Sequence, residues 1–292
     1  MKYLLFLPTF LFATTTNPIT LDFNIGYRED NIKWRIEKDS NSVIYSEIYS
    51  NLNFMTVEGA LGRIYRDIAF GGDFSYSFIG SGDLQQKTVA PDFLFTDRFF
   101  FNTKGFSYSA SGYLGYFVNL TPDRLYTTFF LPHFGYFYSR EKICSTPTDN
   151  SQLSTLPDNL NIEWRSPFLG INAGVIPNDL YAFSIGYAFH FMHLDLDAHI
   201  GQQTSTTELL QKVSTSEGGN KGHFGFLLIS RRWPCWTVSF LAKLRYYTTE
   251  TNSFSLKGEE ITSDSSEMLE NKEKFKLRQT ALMILLSIAR EF

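Results

Sequence analysis

The chain has 292 residues, 43% of them hydrophobic, 17% aromatic and only 19% charged. A formal net charge of -4 and a pI near 5.8 exclude the basic footprint of a nucleic-acid binder, and two Cys exclude a disulfide framework. A mean hydropathy of -0.15 excludes a polytopic helical membrane protein.

Met1-Lys2 precedes an apolar run from Tyr3 to Ala13, followed by small residues to Thr16. One cation, a short apolar stretch and small residues have the form of a secretory signal peptide. The run is too short for a membrane helix, which needs about 20 apolar residues. We therefore expect residues 1–16 to be a signal peptide and 17–292 to form one domain. No later stretch is long and apolar enough to cross as a helix.

After the signal, the dominant period is two. From Leu21 to Arg28, odd positions are apolar and even positions polar or Gly. In Asp67 to Phe78, Ile68, Phe70, Phe74, Tyr76 and Phe78 share one face, opposite Asp67, Asp73, Ser75 and Ser77. From Trp236 to Tyr247, Trp236, Val238, Phe240, Leu244 and Tyr246 alternate with Thr237, Ser239, Lys243 and Arg245. Successive strand side chains point to opposite faces. A soluble sandwich has shorter strands and a mainly aliphatic core face. Long strands with one Phe/Tyr-rich face suit a membrane barrel, whose outside meets lipid and whose lumen is polar. Lys243 and Arg245 would then face the lumen with Asp67 and Asp73.

Breaks between these stretches alternate in length. Short ones fall near Ile64–Arg66, Asn119–Arg124, Pro177–Asp179 and Arg232–Cys235. Long polar ones fall near Lys38–Ser42, Gly80–Lys104, Glu141–Asp158, Gln202–Asn220 and Thr251–Lys272. Short periplasmic turns and longer external loops mark an outer-membrane barrel, here of about 10 strands. The fold expected is all-β, a transmembrane antiparallel up-and-down barrel. At the end, Leu282, Ile284, Leu286, Ile288 and Phe292 share one face. Such a terminal aromatic strand resembles the recognition signal of outer-membrane barrels. The expected partners are outer-membrane lipid, lipopolysaccharide and the barrel-assembly machinery through Phe292, with no nucleic acid. Cys144 falls in an external loop and Cys235 in a periplasmic turn, too far apart to pair.

Common catalytic and phosphate-binding motifs are missing, and neither a cofactor nor a metal is expected. One cluster carries chemistry: His193, Asp195, Asp197 and His199 lie two apart, about 6.6 Å between neighbours on a strand. They continue the aromatic face of Tyr181 to Phe191, so the ladder begins where the lipid belt ends. It reads as a solvated strand end, as an Asp197–His199 acid–base pair, or, last, as metal ligands.

Trp164-Arg165-Ser166-Pro167-Phe168-Leu169-Gly170-Ile171, the Gly59-Ala60-Leu61 to Ile79-Gly80-Ser81-Gly82 region, and Asp197-Ala198-His199 together resemble the omptins. These are ten-stranded outer-membrane barrel proteases; the chain is also similar to an omptin-like branch from chlamydia-related bacteria. The resemblance implies a catalytic Asp197 and His199 facing a second acidic pair across a water. In place of that Asp-x-Asp beside Trp, the second external loop offers Asp92 and Asp97, five residues apart. Multi-residue sites fail as units. The expectation is therefore a surface barrel with a structural or interaction role. The alternatives are an endopeptidase using Asp197, His199, Asp92 and Asp97, and a narrow channel.

Overall fold

The computed structural model describes residues 19–38, 42–88, 98–101, 103–121, 126–145, 158–178, 180–203, 208–233, 236–251, 255–260 and 273–291. The expected signal peptide, Asp92, Asp97, Cys235 and Phe292 lie outside them. Ten long strands are formed: β1 Ile19–Lys38, β2 Ser42–Tyr65, β3 Ile68–Thr88, β4 Thr103–Tyr116 and β5 Thr127–Ser145. They continue as β6 Asp158–Asn178, β7 Tyr181–Gln203, β8 Glu208–Trp233, β9 Trp236–Thr251 and β10 Glu273–Glu291. Each pairs antiparallel with the next. β10 returns to β1, from Thr20 opposite Glu291 to Lys38 opposite Glu273. The sheet closes, so no long edge is left, and only a closed sheet satisfies its backbone inside hydrocarbon. Three short segments, Arg98–Phe101, Val118–Asn119 and Ser255–Glu260, pair onto β3, β5 and β8.

At the end where β1 starts and β10 finishes, two residues separate β2 from β3, β6 from β7 and β8 from β9, and ten separate β4 from β5. Arg66 and Asp67 both have positive φ, 46° and 70°, between Tyr65 and Ile68. Two such residues form the tight turn whose twist matches a hairpin. Asp67 is therefore an exposed turn residue and not, as the alternation suggested, part of the lumen wall.

The predicted faces hold. Phe23, Phe70, Phe74, Phe240 and Leu286 point outward and stay exposed, while Asn24, Ser75, Lys243 and Ser287 point inward and are buried. On β1 the outward apolar set runs from Ile19 to Tyr27, about the 9–11 residues a tilted membrane strand needs. Aromatic neighbours line the upper margin of this belt. Tyr76, Phe106, Tyr108 and Tyr138 follow one another at ring separations of 6.2, 6.5 and 5.9 Å. At the lower margin Arg290 covers Trp236 at 5.2 Å, a place where the guanidinium reaches the headgroups.

Above the belt the pattern inverts. On β1, Lys33 and Arg35 point outward while Ile32, Trp34 and Ile36 are buried inside. The same inversion puts Leu194 and Leu196 of β7 and Phe275 and Leu277 of β10 inside. The expected loops Gly80–Lys104 and Gln202–Asn220 are consequently shorter than the sequence suggested. β3 runs on to Thr88, and β7 and β8 cover residues up to 203 and from 208. There Gln85, Ser214 and Ser216 look outward, while Leu84 and Val213 are buried inside.

The face assignment makes a direct prediction. Phe74→Arg or Phe240→Arg places a charge on the lipid side at a cost of about 2–4 kcal/mol. Each should reduce the folded, heat-modifiable fraction on electrophoresis from detergent. Asp73→Asn, on the lumen side, should leave that fraction near wild type; equal loss in both classes would reverse the assignment.

Candidate functional site

Among the described residues, polar side chains gather in the lumen at membrane depth and on the outer wall just above the belt. The charges in the lumen are the more constrained. Arg28 of β1 pairs with Asp30, reaches Glu141 of β5 at 2.9 Å and donates to Ser107 of β4 at 2.8 Å. Gln279 of β10 donates to both Asp30 and Glu141 at 3.0 Å, and accepts from the Trp164 indole of β6 at 2.9 Å. Lower down, Lys243 of β9 meets Glu58 of β2 at 2.6 Å, and Asn24 donates to the same carboxylate at 2.9 Å. The bonds from Arg28 to Glu141 and Ser107, from Gln279 to Glu141 and Trp164, and from Lys243 to Glu58 join strands that are not neighbours in the sheet. They tie opposite walls together through the middle of the cylinder.

The expectation that Lys243 and Arg245 face the lumen is met, with different partners. Lys243 takes Glu58, which the sequence reading did not single out, and Asp73 accepts from Ser111. Arg245 lies over the rings of Phe137 and Phe224 at 5.1 and 5.9 Å. A gap of about 40 Å³ lies among Asp73, His133, Phe168, His190, Phe224 and Arg245. That is space for a few waters, far less than the ~150 Å³ that holds benzene.

The lumen above the belt is filled differently. Ile32, Trp34, Leu52, Leu160, Ile162, Trp164, Leu194, Val213 and Phe275 are all 0–1% exposed. Set among them, Glu47 accepts from Trp34 Nε1 at 2.8 Å, from Tyr49 at 2.9 Å and from Tyr45 at 2.5 Å. Within the described residues this half of the barrel is a packed core, not a groove.

The sequence-predicted ladder sits on the other side of the wall. His193, Asp195, Asp197 and His199 point outward, and Leu194, Leu196 and Ala198 between them are buried inward. Asp197 borders an outer groove of about 830 Å³ that also holds Arg140, Asn161, Glu163, Arg165, His193, Asp195 and Ser216. Within it Ser216 donates to Asp195 at 2.5 Å, and His193 Nε2 lies 3.3 Å from Ser216 Oγ and 3.4 Å from Asp195. Arg165 bridges Glu163 at 2.6 Å and Asp195 at 3.1 Å. The hydrogen bond to Glu163, and then the charges of Glu163 and Asp195, raise the Arg165 pKa above its ordinary value. Ser216 reaches this cluster because β8 bulges between Glu217 and Asn220, where Gly219 has a φ of 83°. A bulge exchanges the faces of a strand, so simple alternation from Lys221 upward misses Ser216. Asp92 and Asp97 fall outside the described residues.

Residues 22–276 match the family described as Pom, Protochlamydia outer membrane protein. No curated protein matches the chain. Among solved structures, the fold is similar to the outer membrane protease OmpT from Escherichia coli, with a TM-score of 0.72 at 9% identity. That match covers 96% of this chain and 99% of the other. The translocator domain of the autotransporter NalP from Neisseria meningitidis matches at 10% identity and a TM-score of 0.42, covering 96% and 90%. The Pseudomonas putida toluene transporter TodX matches at 10% identity and 0.33, covering 95% and 90%. At such identities the OmpT likeness speaks for the fold: a closed ten-stranded outer-membrane barrel.

Buried pairs lose most when one partner alone is removed, at about 3–5 kcal/mol. Lys243→Met should therefore lower the urea midpoint of the refolded barrel strongly, because it strands Glu58. Adding Glu58→Leu should recover most of the loss. Additive losses in the double variant would show that the pair does not hold the lumen together.

Proposed function

The chain belongs to the Protochlamydia outer membrane protein family, and from that membership we propose that it is a wall and surface protein of the outer membrane without proteolytic activity. The observation that carries this reading is the filled interior. Cross-lumen ion pairs occupy membrane depth and a dry aromatic core occupies the upper half. A ten-stranded barrel has room for little more than side chains. A water-activating site needs its acid, base and substrate to converge on one point. Asp197 and His199 instead face away from the interior. Residues 1–16 would direct export, Phe292 would engage the assembly machinery, and the belt would contact outer-membrane lipid and lipopolysaccharide.

A narrow channel is the second reading. Asp22, Asp30, Glu58, Asp73 and Glu141 with Arg28, Lys243 and Arg245 form a series of ionisable groups through the membrane-level lumen. Intramembrane ionisable groups often line ion paths.

Two measurements on the refolded protein separate the readings. In planar bilayers the wall reading predicts no steady current. A steady current altered by Arg28→Ala would favour the channel. With peptides carrying paired basic residues, the wall reading predicts no cleavage by wild type. Cleavage lost in His199→Ala would establish the protease instead.

A further inference from the structure

Further round the outer wall from the His193–Ser216 groove, β9, β10 and β1 carry a second charged strip. Lys33, Arg35, Lys274, Lys276 and Arg278 all point outward there. The register sets like charges face to face: Lys33 lies opposite Arg278, and Arg35 opposite Lys276. Directly opposed side chains on a sheet have Cβ atoms about 4.5–5.5 Å apart, and like charges at that spacing are destabilising. Two carboxylates relieve part of the strip. Glu37 takes Arg35 at 2.7 Å and Lys276 at 2.9 Å, and Glu250 takes Lys276 at 3.4 Å and Lys274 at 3.7 Å. Neither reaches the Lys33–Arg278 pair, which has no carboxylate partner among the described residues. Arg278 rests on the Tyr246 ring at 5.7 Å. Tyr246 follows Leu244 at the upper end of the lipid-facing set on β9. The two cations thus stand just above the belt, at headgroup height, beside a groove of about 300 Å³ that they share with Thr248, Thr249 and the Glu250 carboxylate already held by Lys274 and Lys276.

We propose that Lys33 and Arg278, with Lys276 and Arg35 behind them, form a site for the phosphate-bearing headgroup of an outer-leaflet lipid. A phosphate between the two cations turns their repulsion into two charge-assisted bonds. The acyl chains of the same molecule lie on the apolar face of β9 and β10 directly below, on Leu244, Leu282 and Ile284. A free anion would gain only the first of these contacts. This inference rests on the outer-membrane wall reading. It can fail alone, because lipid capture and bilayer current are separate measurements.

The test uses the full chain refolded in neutral detergent and titrated with diphosphoryl lipid A carrying a fluorophore, read by anisotropy. Lys33→Gln with Arg278→Gln should weaken capture roughly 10- to 30-fold. Lys142→Gln, on the outward face of β5, should leave it unchanged. Dephosphorylated lipid A should bind the wild type as weakly as diphosphoryl lipid A binds the double variant. Lys33→Glu serves as the control for folding. It replaces a like-charge pair by an opposite-charge pair, so the unfolding midpoint should hold or rise while capture falls. Equal capture by the double variant, or by the dephosphorylated lipid, would overturn the site. Displacement by inorganic phosphate at the concentration at which unlabelled lipid A displaces would overturn the lipid assignment.

Discussion

Backbone satisfaction inside hydrocarbon governs this structure. Within a bilayer an unpaired N–H or C=O costs several kcal/mol, so a sheet that crosses must close on itself. The closure between β10 and β1 runs unbroken from Thr20 to Lys38. Once the cylinder is closed, every side chain has two possible surroundings, inside or out, and the period of two decides between them. The outside then meets two solvents in succession, lipid and then water. The phase of the apolar residues must change where one solvent gives way to the other. Ile25 and Tyr27 outside, followed by Ile32 and Trp34 inside, is that change written on a single strand.

This explains which parts of the fold were legible in the sequence. The outward faces of Leu21–Tyr27, Ile68–Phe78, Trp236–Tyr246 and Leu282–Ile288 show uninterrupted alternation, and hydrocarbon tolerates no exceptions there. The ladder from His193 to His199 was legible as the end of the belt for the same reason. The extra strand length at the tops of β3, β7 and β8 was not. There the outside is polar and the inside apolar, and water-facing strand residues look like loop residues to a reading centred on the aromatic face. Bulges hid the rest. Positive φ at Asn51 and at Gly219 accompanies register shifts that exchange the two faces of β2 and β8. Glu47 and Ser216 lie beyond those shifts, so alternation counted from below assigns both to the wrong side.

The candidate site was legible in part. Asp197 and His199 do share a face, as their spacing requires. Their parity with Phe189 and Phe191 also sets that face to the outside. Because the inversion sits at Met192–His193, the same rule that keeps Phe189 and Phe191 against lipid turns Asp197 and His199 to the outside. The contacts that form there are between His193, Asp195, Ser216 and Arg165, which depend on the neighbouring strands and on the β8 bulge.

The two halves of the interior are stabilised by different physics. At membrane depth the outer face gains from lipid and the inner face carries ion pairs, whose attraction is largely cancelled by the desolvation they suffer. Their contribution is to fix which wall faces which, as Arg28–Glu141 and Lys243–Glu58 do across the cylinder. Above the belt no lipid is present, and stability comes from burial of Ile32, Trp34, Leu52, Leu160, Ile162 and Phe275 inside. Each fully buried side chain of this kind is worth about 1.5–3 kcal/mol relative to exposure. The upper barrel is therefore built like a water-soluble protein standing on a membrane base. Its dry core stands above the polar lumen, so the charges at membrane depth have packed side chains above them and lipid around the outside of the wall.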